Sequence, residues 1–308
     1  MDRWIDSQMD RYSVPMTIGF IGLGNMGRPM ASNLVRKGES LLVHDVNGEA
    51  MAALAALGAR RAEGADDVAA SCDVIFTMLP TTASVAGVLG GLIDRAKQGS
   101  TIVDMSTIDP LVTDRLAADA AARGISFADA PVGRLASHAE RGESLFMVGA
   151  SPATFQAIRP LLEKMGTTIH HCGGVGTGMR TKLVNNYLAI ISCQLNAEAV
   201  ALSQRFGLDL AKTLEVIHGT TATNGQLKIA WPAKVLANDV APGFTIDLAH
   251  KDLTLIVEAG NAVKVPMPVA AVAREAFNGA RAAGKGAQDF SSIVDCLCDA
   301  AGIPRPRL

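Results

Sequence analysis

The sequence is poor in the residues that several kinds of binding surface need. Phe, Trp and Tyr make up 4% of its 308 residues, too few for a base-stacking platform that grips single-stranded nucleic acid. Neither sign of charge is in excess: 28 Lys and Arg stand against 30 Asp and Glu, a net charge of −2. That leaves no basic footprint for nucleic acid and no polybasic patch for a membrane surface. No apolar run reaches the ~18 residues of a membrane span. The five cysteines, Cys72, Cys172, Cys193, Cys296 and Cys298, are scattered and lack metal-ligand or CxxC spacing. They read as reduced thiols of a cytoplasmic protein. The six histidines form no ligand pattern, and no metal is expected.

What is present is apolar. Hydrophobic residues make up 49% and charged residues 19%, which suits a cored globular chain long enough for two domains. Residues 1–15 (MDRWIDSQMDRYSVP) mix both charges and have no apolar h-region, so they read as an N-terminal extension rather than a signal peptide. Met9 and Met16 are alternative starts.

Residues 16–21 (MTIGFI) form a β-rich run that ends in Gly22-Leu23-Gly24-Asn25-Met26-Gly27. A helical pattern through Met30, Leu34 and Val35 follows and stops at Gly38. Residues 41–44 (LLVH) make a second strand ending in Asp45. Strand, glycine turn, helix, strand and acid is the order a dinucleotide-binding βαβ unit requires, with the acid about 18 residues beyond the last glycine. Gly22 permits the tight turn, Gly24 lets the backbone approach a pyrophosphate, and Gly27 lets the helix pack close to the sheet. The helix start then offers free N–H groups to the phosphates. Asp45 can accept from both ribose hydroxyls and repels a 2′-phosphate. Arg60 and Arg61 are distant from it in sequence, so NAD is the expected cofactor, with NADH preferred over NADPH.

The alternation continues. Strands are expected at 73–78, 101–104, 125–129, 144–148 and 168–172, with helices at 50–57, 65–70 and 152–165. A partly helical stretch at 85–93 is interrupted by glycines. Leu79, Pro80, Ser106 and Thr107 fall in loops at the carboxyl ends of strands, where parallel sheets bind ligands; Ser106 or Thr107 can also cap the helix opened by Pro110. From Gly173-Gly178 onward the pattern is helical, including 226–235 and 248–263. The reading is an α/β, Rossmann-type NAD-binding domain over 16–177 and an all-α substrate and dimerisation domain over 178–308.

Within the first long helix Lys182, Asn185 and Asn186 project from one face. An ammonium flanked by neutral amides can place a proton on an oxygen; a helix lysine can equally keep its charge in water. The helix is so apolar that it is expected to be buried all round, in a homodimer or homotetramer interface.

Five motifs in order, GFIGLGNMGRPMASNL, DMSTIDP, DAPV, the GxGxxxKxxNN helix and FTIDLAHKDL, resemble the β-hydroxyacid dehydrogenase family over about residues 16–293. This family includes 3-hydroxyisobutyrate and tartronate-semialdehyde dehydrogenases and has a 6-phosphogluconate dehydrogenase-like fold. The resemblance implies that Lys182 is the catalytic acid/base, that Asn186 orients the reacting oxygen, and that Asn185 touches substrate. It also implies that Lys251 reaches the cofactor across the domain cleft. Most members follow DAPV with Ser-Gly-Gly, whereas this chain has Gly133-Arg134-Leu135. Val-Gly-Arg, KLVNNY, WPAKVL and DLAHKDL resemble a narrower branch, the 3-sulfolactaldehyde reductases.

In that branch the loop arginine, here Arg134, holds the sulfonate together with the asparagine matching Asn185 and a serine on the same helix. The serine position is Ala189 here, so one sulfonate contact is either missing or replaced, with Ser137 and His138, just beyond Gly133 and Arg134, as the candidate replacements. The implied substrate is a small anionic aldehyde, either a sulfonate or, as in other members, a carboxylate. A non-catalytic NAD-binding scaffold of the same fold would tolerate loss of the lysine, and imine-reducing enzymes usually place another residue there.

Overall fold

The computed structural model describes residues 16–308, so the expectations for 1–15 lie outside the described residues. Contacts divide the chain into one unit ending at Arg180 and another running from Thr181 to Leu308.

The first unit is a nine-stranded sheet: β1 (Ile18–Ile21), β2 (Leu41–His44), β3 (Arg60–Arg61), β4 (Val74–Thr77), β5 (Thr101–Asp104), β6 (Ser126–Asp129), β7 (Val132–Gly133), β8 (Ser144–Gly149) and β9 (Gly166–Gly173). Their order is β3-β2-β1-β4-β5-β6-β8-β7, with β9 paired to β8. Pairing is parallel from β3 through β6. β8 runs antiparallel to β6 and β7 and parallel to β9. β1 and β4 are buried along their whole length, which is why IGFI and VIFT read as unbroken runs rather than alternations. The order reverses between β1 and β4, the switch point at which such sheets bind ligands.

The stretch expected to be broken by glycines is one continuous helix, Thr82–Arg95, opened by a capping box between Thr81 and Ser84. Val85, Leu89, Leu92 and Ile93 are buried along it. Each buried side chain contributes ~1.5–3 kcal/mol, which outweighs ~1 kcal/mol for each of Gly87, Gly90 and Gly91. The helix opened by Pro110 is capped by Asp109, whose carboxylate accepts the Leu111 N–H at 2.9 Å, not by Ser106 or Thr107 as expected.

The second unit is helical around a core that includes fully buried Trp231 and Phe277. The long helix Thr177–Arg205 carries the chain into it, followed by Leu210–His218, Ile246–Ala262, Pro268–Ala282 and Ile293–Ala301. The helix expected over 226–235 is instead a π turn, Gln226–Ala230, a short α turn, Trp231–Ala233, and a 3-10 turn, Val235–Ala237. Pro232 has no N–H to give, and Lys234 at φ −124°, ψ −109° breaks the helical path.

The long helix is not buried all round. Val184, Leu188, Leu195, Leu202 and Phe206 are each more than half exposed. At ~100° per residue they share the face opposite Lys182 and Asn186. Among the described residues no helix is long and apolar enough to cross a membrane, and no His/Cys/Asp/Glu group could hold a metal ion.

Candidate active site

The glycine turn does what its spacing requires. Gly22 has φ 95°, and a Cβ there would lie 2.2 Å from the Met78 carbonyl oxygen on the loop after β4. A Cβ on Gly27 would lie 1.9 Å from the Gly22 carbonyl oxygen. Gly24 is open, with nothing within 4 Å of a Cβ, so its backbone is accessible. The helix Gly27–Arg36 starts without a side-chain cap. The Arg28 N–H goes to the Gly24 carbonyl at 3.0 Å and the Met30 N–H to the Met26 carbonyl at 3.4 Å, and Pro29 has no N–H. The expected set of free N–H groups therefore reduces to that of Gly27, at the positive end of the helix. Met26 is the residue before it, and Asn25 is exposed on the rim. Asp45 holds the turn from below: its carboxylate accepts the Leu23 N–H at 2.5 Å and the Asn47 N–H at 2.7 Å. An open glycine cradle, an uncapped helix start and a fixed carboxylate fit a dinucleotide. Arg60 and Arg61, remote in sequence, are brought beside β2 by β3, where Val43 pairs with Arg61.

Two loops expected to face the cofactor are joined to each other. The Ser106 hydroxyl accepts the Leu79 N–H at 2.9 Å and donates to Asp104 at 2.6 Å. Thr77 also donates to Asp104, at 2.9 Å. Asp104 is fully buried, and desolvation raises its pKa. Ser106 therefore braces the ends of β4 and β5, while Pro80 is exposed and Thr107 half-buried beside it.

Asp129, at the end of β6, was not singled out from the sequence. Its carboxylate accepts the N–H groups of Gly176 and Met179, each at 2.6 Å, gripping the start of the long helix. Burial pushes its carboxyl up to about 6, and the two backbone N–H donors act against that rise. Gly133, which ends β7, is buried; beyond it Ser137 is exposed and His138 half-buried. Arg134 is exposed and donates from Nη1 to the Glu143 carbonyl at 2.6 Å and the Thr167 hydroxyl at 3.0 Å, and from Nη2 to the Thr168 hydroxyl at 2.9 Å.

In the second unit Lys182 is buried, with 8% of its surface accessible. Desolvation lowers its pKa, the Asp252 carboxylate acts against that, and the Lys251 charge adds to it. Asp252, itself 1% exposed, accepts the Asn186 amide N–H at 2.6 Å and lies 3.1 Å from the Lys251 ammonium. Asn185, on the exposed side, donates to the Asn186 amide oxygen at 3.1 Å. Lys182, Asn185, Asn186 and Lys251 thus form one cluster around a carboxylate that sequence reasoning missed. A signal for it existed: Ala249, Asp252, Leu253 and Ile256 share the buried stripe of the Ile246–Ala262 helix, and an acid on an apolar stripe needs a partner. Half-buried Ala189 follows one turn after Asn185.

A glycine-turn dinucleotide cradle and a buried lysine braced by an acid define a nicotinamide-dependent dehydrogenase. Residues 17–174 match the family model for the NAD binding domain of 6-phosphogluconate dehydrogenase, and residues 176–297 that for NAD-binding of NADP-dependent 3-hydroxyisobutyrate dehydrogenase. The chain belongs to the 3-hydroxyisobutyrate dehydrogenase-like β-hydroxyacid dehydrogenase family, and it is an oxidoreductase. It is 42% identical to 3-sulfolactaldehyde reductase of Escherichia coli, over 93% of this chain and 97% of that protein. It is 40% identical to 2-(hydroxymethyl)glutarate dehydrogenase of Eubacterium barkeri, over 93% and 96%. The structure of Mycobacterium tuberculosis 3-hydroxyisobutyrate dehydrogenase with L-serine superposes with a TM-score of 0.86 at 32% identity, over 92% of this chain and 99% of that one.

Proposed function

We propose that this enzyme reduces a small anionic aldehyde with NADH, and that the substrate is 3-sulfolactaldehyde, giving 2,3-dihydroxypropane-1-sulfonate. The observation that carries the reading is the buried Lys182 ammonium beside Asp252 and Asn186, in a chain that keeps an arginine, Arg134, at the anion-binding loop. When bound, the nicotinamide supplies the hydride in reduction and accepts it in oxidation. Lys182 hydrogen-bonds the carbonyl oxygen through its ammonium and protonates the oxygen as negative charge develops there; as the free amine it takes the hydroxyl proton in oxidation. Asn186, its amide fixed by Asp252, orients that oxygen, and Asn185 contacts the substrate. Arg134 holds the anionic end, so that the aldehyde carbon is presented in one orientation.

On the cofactor side, Asp45 is assigned the preference for NADH: a carboxylate at the end of the second strand can accept from ribose hydroxyls and repels a 2′-phosphate. Gly22, Leu23, Gly24, Asn25, Met26 and Gly27 cradle the diphosphate, with Leu79, Pro80, Ser106 and Thr107 beside it and Lys251 completing the set. The exposed stripe from Val184 to Phe206 is the face on which a second copy packs, in a homodimer or within a homotetramer; a monomer in sedimentation would contradict it.

The decisive comparison is NADH consumption with 3-sulfolactaldehyde against carboxylate counterparts such as tartronate semialdehyde. We expect kcat/KM to favour the sulfonate by about tenfold or more, since the better-fitted anion gains one further charged hydrogen bond. Preference for the carboxylate would instead establish the second reading, which has support in the 40% identity to a dehydrogenase of a carboxylate substrate. The same assay with NADPH should give the lower kcat/KM.

Asp252→Asn gives a separate check on the lysine. Removing the carboxylate that holds the Lys182 pKa up lowers that pKa further. The acid limb of kcat/KM for oxidation then moves to lower pH, and reduction loses activity at a lower pH than in the wild type. Paired pH–rate profiles read this directly, and coincident profiles would remove Asp252 from the account.

A further inference from the structure

Arg134 has three unusual features. Its backbone lies at φ 70°, a left-handed conformation costly for any side chain and natural for glycine. Among the described residues no carboxylate comes within ion-pair distance of it; neighbouring Glu143 spends its carboxylate on Arg141, at 2.8 Å. The guanidinium is instead held by neutral acceptors, the Glu143 carbonyl and the hydroxyls of Thr167 and Thr168. Consecutive strand residues normally face opposite ways. Here β9 is irregular: Ser144 pairs with Gly166 but Leu145 with Thr168, so Thr167 is an extra residue, and such a bulge re-aims side chains. It lets both hydroxyls meet one guanidinium.

Three of five N–H donors are spent in this way. With Thr167 on Nη1 and Thr168 on Nη2, the remaining Nε–H and second Nη2–H lie along one edge, the edge that takes an oxyanion side-on through two hydrogen bonds. We propose that Thr167 and Thr168 are positioning residues for substrate recognition: they fix the Arg134 guanidinium end-on, so that its free edge is presented to the substrate's sulfonate or carboxylate. The proposal rests on the reading of Arg134 as the anion contact.

The test is steady-state kinetics with the anionic aldehyde, alongside thermal melting. Replacing both threonines by valine should raise KM about tenfold with kcat within about twofold, because orientation is lost and the chemistry is not. The Thr167→Ser, Thr168→Ser pair should restore the wild-type KM. Should the double valine variant fail to fold, Thr168→Val alone carries the test with a smaller rise. Arg134→Gly should raise KM about a hundredfold without lowering Tm, since glycine takes φ 70° freely. A raised KM for Arg134→Gly with an unchanged KM in the valine variants would overturn the positioning role and leave the anion contact standing. An Arg134→Gly variant with lowered Tm and unchanged KM would make the cluster a structural latch and overturn both.

Discussion

Lys182→Ala is expected to lower turnover by about a thousandfold while leaving NADH affinity within about twofold, because a positioned acid contributes ~10²–10⁴ in rate. The separation follows from the structure. Lys182 sits in the helical unit, whereas the glycine turn and Asp45, the proposed dinucleotide cradle, belong to the unit that carries the sheet. The fold should tolerate the change. A buried ammonium costs desolvation, and the carboxylate it leaves behind still lies 3.1 Å from Lys251 and still accepts from Asn186. Lys182→Arg should not rescue, since a guanidinium cannot act as the free base and its planar fork is not interchangeable with an ammonium. Single-turnover kinetics beside a fluorescence titration with NADH would read both quantities. Undiminished turnover would refute the acid/base role given to Lys182.

The second large effect is expected at Gly27. A methyl group there would lie 1.9 Å from the Gly22 carbonyl oxygen and 2.9 Å from its carbon, both rigid backbone atoms that cannot turn aside. The helix Gly27–Arg36 must then move away from the turn, distorting the proposed diphosphate cradle. Gly27→Ala should weaken NADH binding about a hundredfold or more and lower stability by ~1–3 kcal/mol, the usual cost of overpacking. Gly24→Ala is the control, because its Cβ meets nothing within 4 Å: cofactor affinity falls while Tm holds. Calorimetric titration and thermal melting of the two variants would separate packing from contact. Equal melting temperatures with unchanged affinity at Gly27 would contradict the close approach.

Much of this was legible in the sequence where the information is local. The glycine turn, the helix after it and Asp45 lie within one βαβ unit, and each residue type answers a backbone requirement met within a few positions. Lys182, Asn185 and Asn186 were readable for the same reason, since one helical turn sets their common face. What escaped were partners supplied from far along the chain. Asp252 reaches Asn186 across 66 residues and Asp129 reaches Met179 across 50, and no spacing rule announces either. The Arg134–Thr167–Thr168 cluster depends on a bulge, which one extra residue in a strand does not reveal beforehand. Propensity misled in both directions. Buried Val85, Leu89, Leu92 and Ile93 hold a glycine-rich segment in one helix, whereas Pro232 and Lys234 break a segment whose apolar pattern looked helical. The long helix is expected from its sequence to be buried all round, yet Val184, Leu188, Leu195, Leu202 and Phe206 stand exposed along one face, because which face a helix buries is set by the folded chain.

The most direct test of the central claim follows the hydride and the proton together. Wild-type enzyme is given the anionic aldehyde and NADH deuterated at C4 on the transferable face, and the product is analysed by mass spectrometry beside the Lys182→Ala reaction. The account expects one deuterium on the new carbinol carbon in the wild-type product and almost no product from the variant. Product without deuterium, or equal product from both proteins, would contradict it.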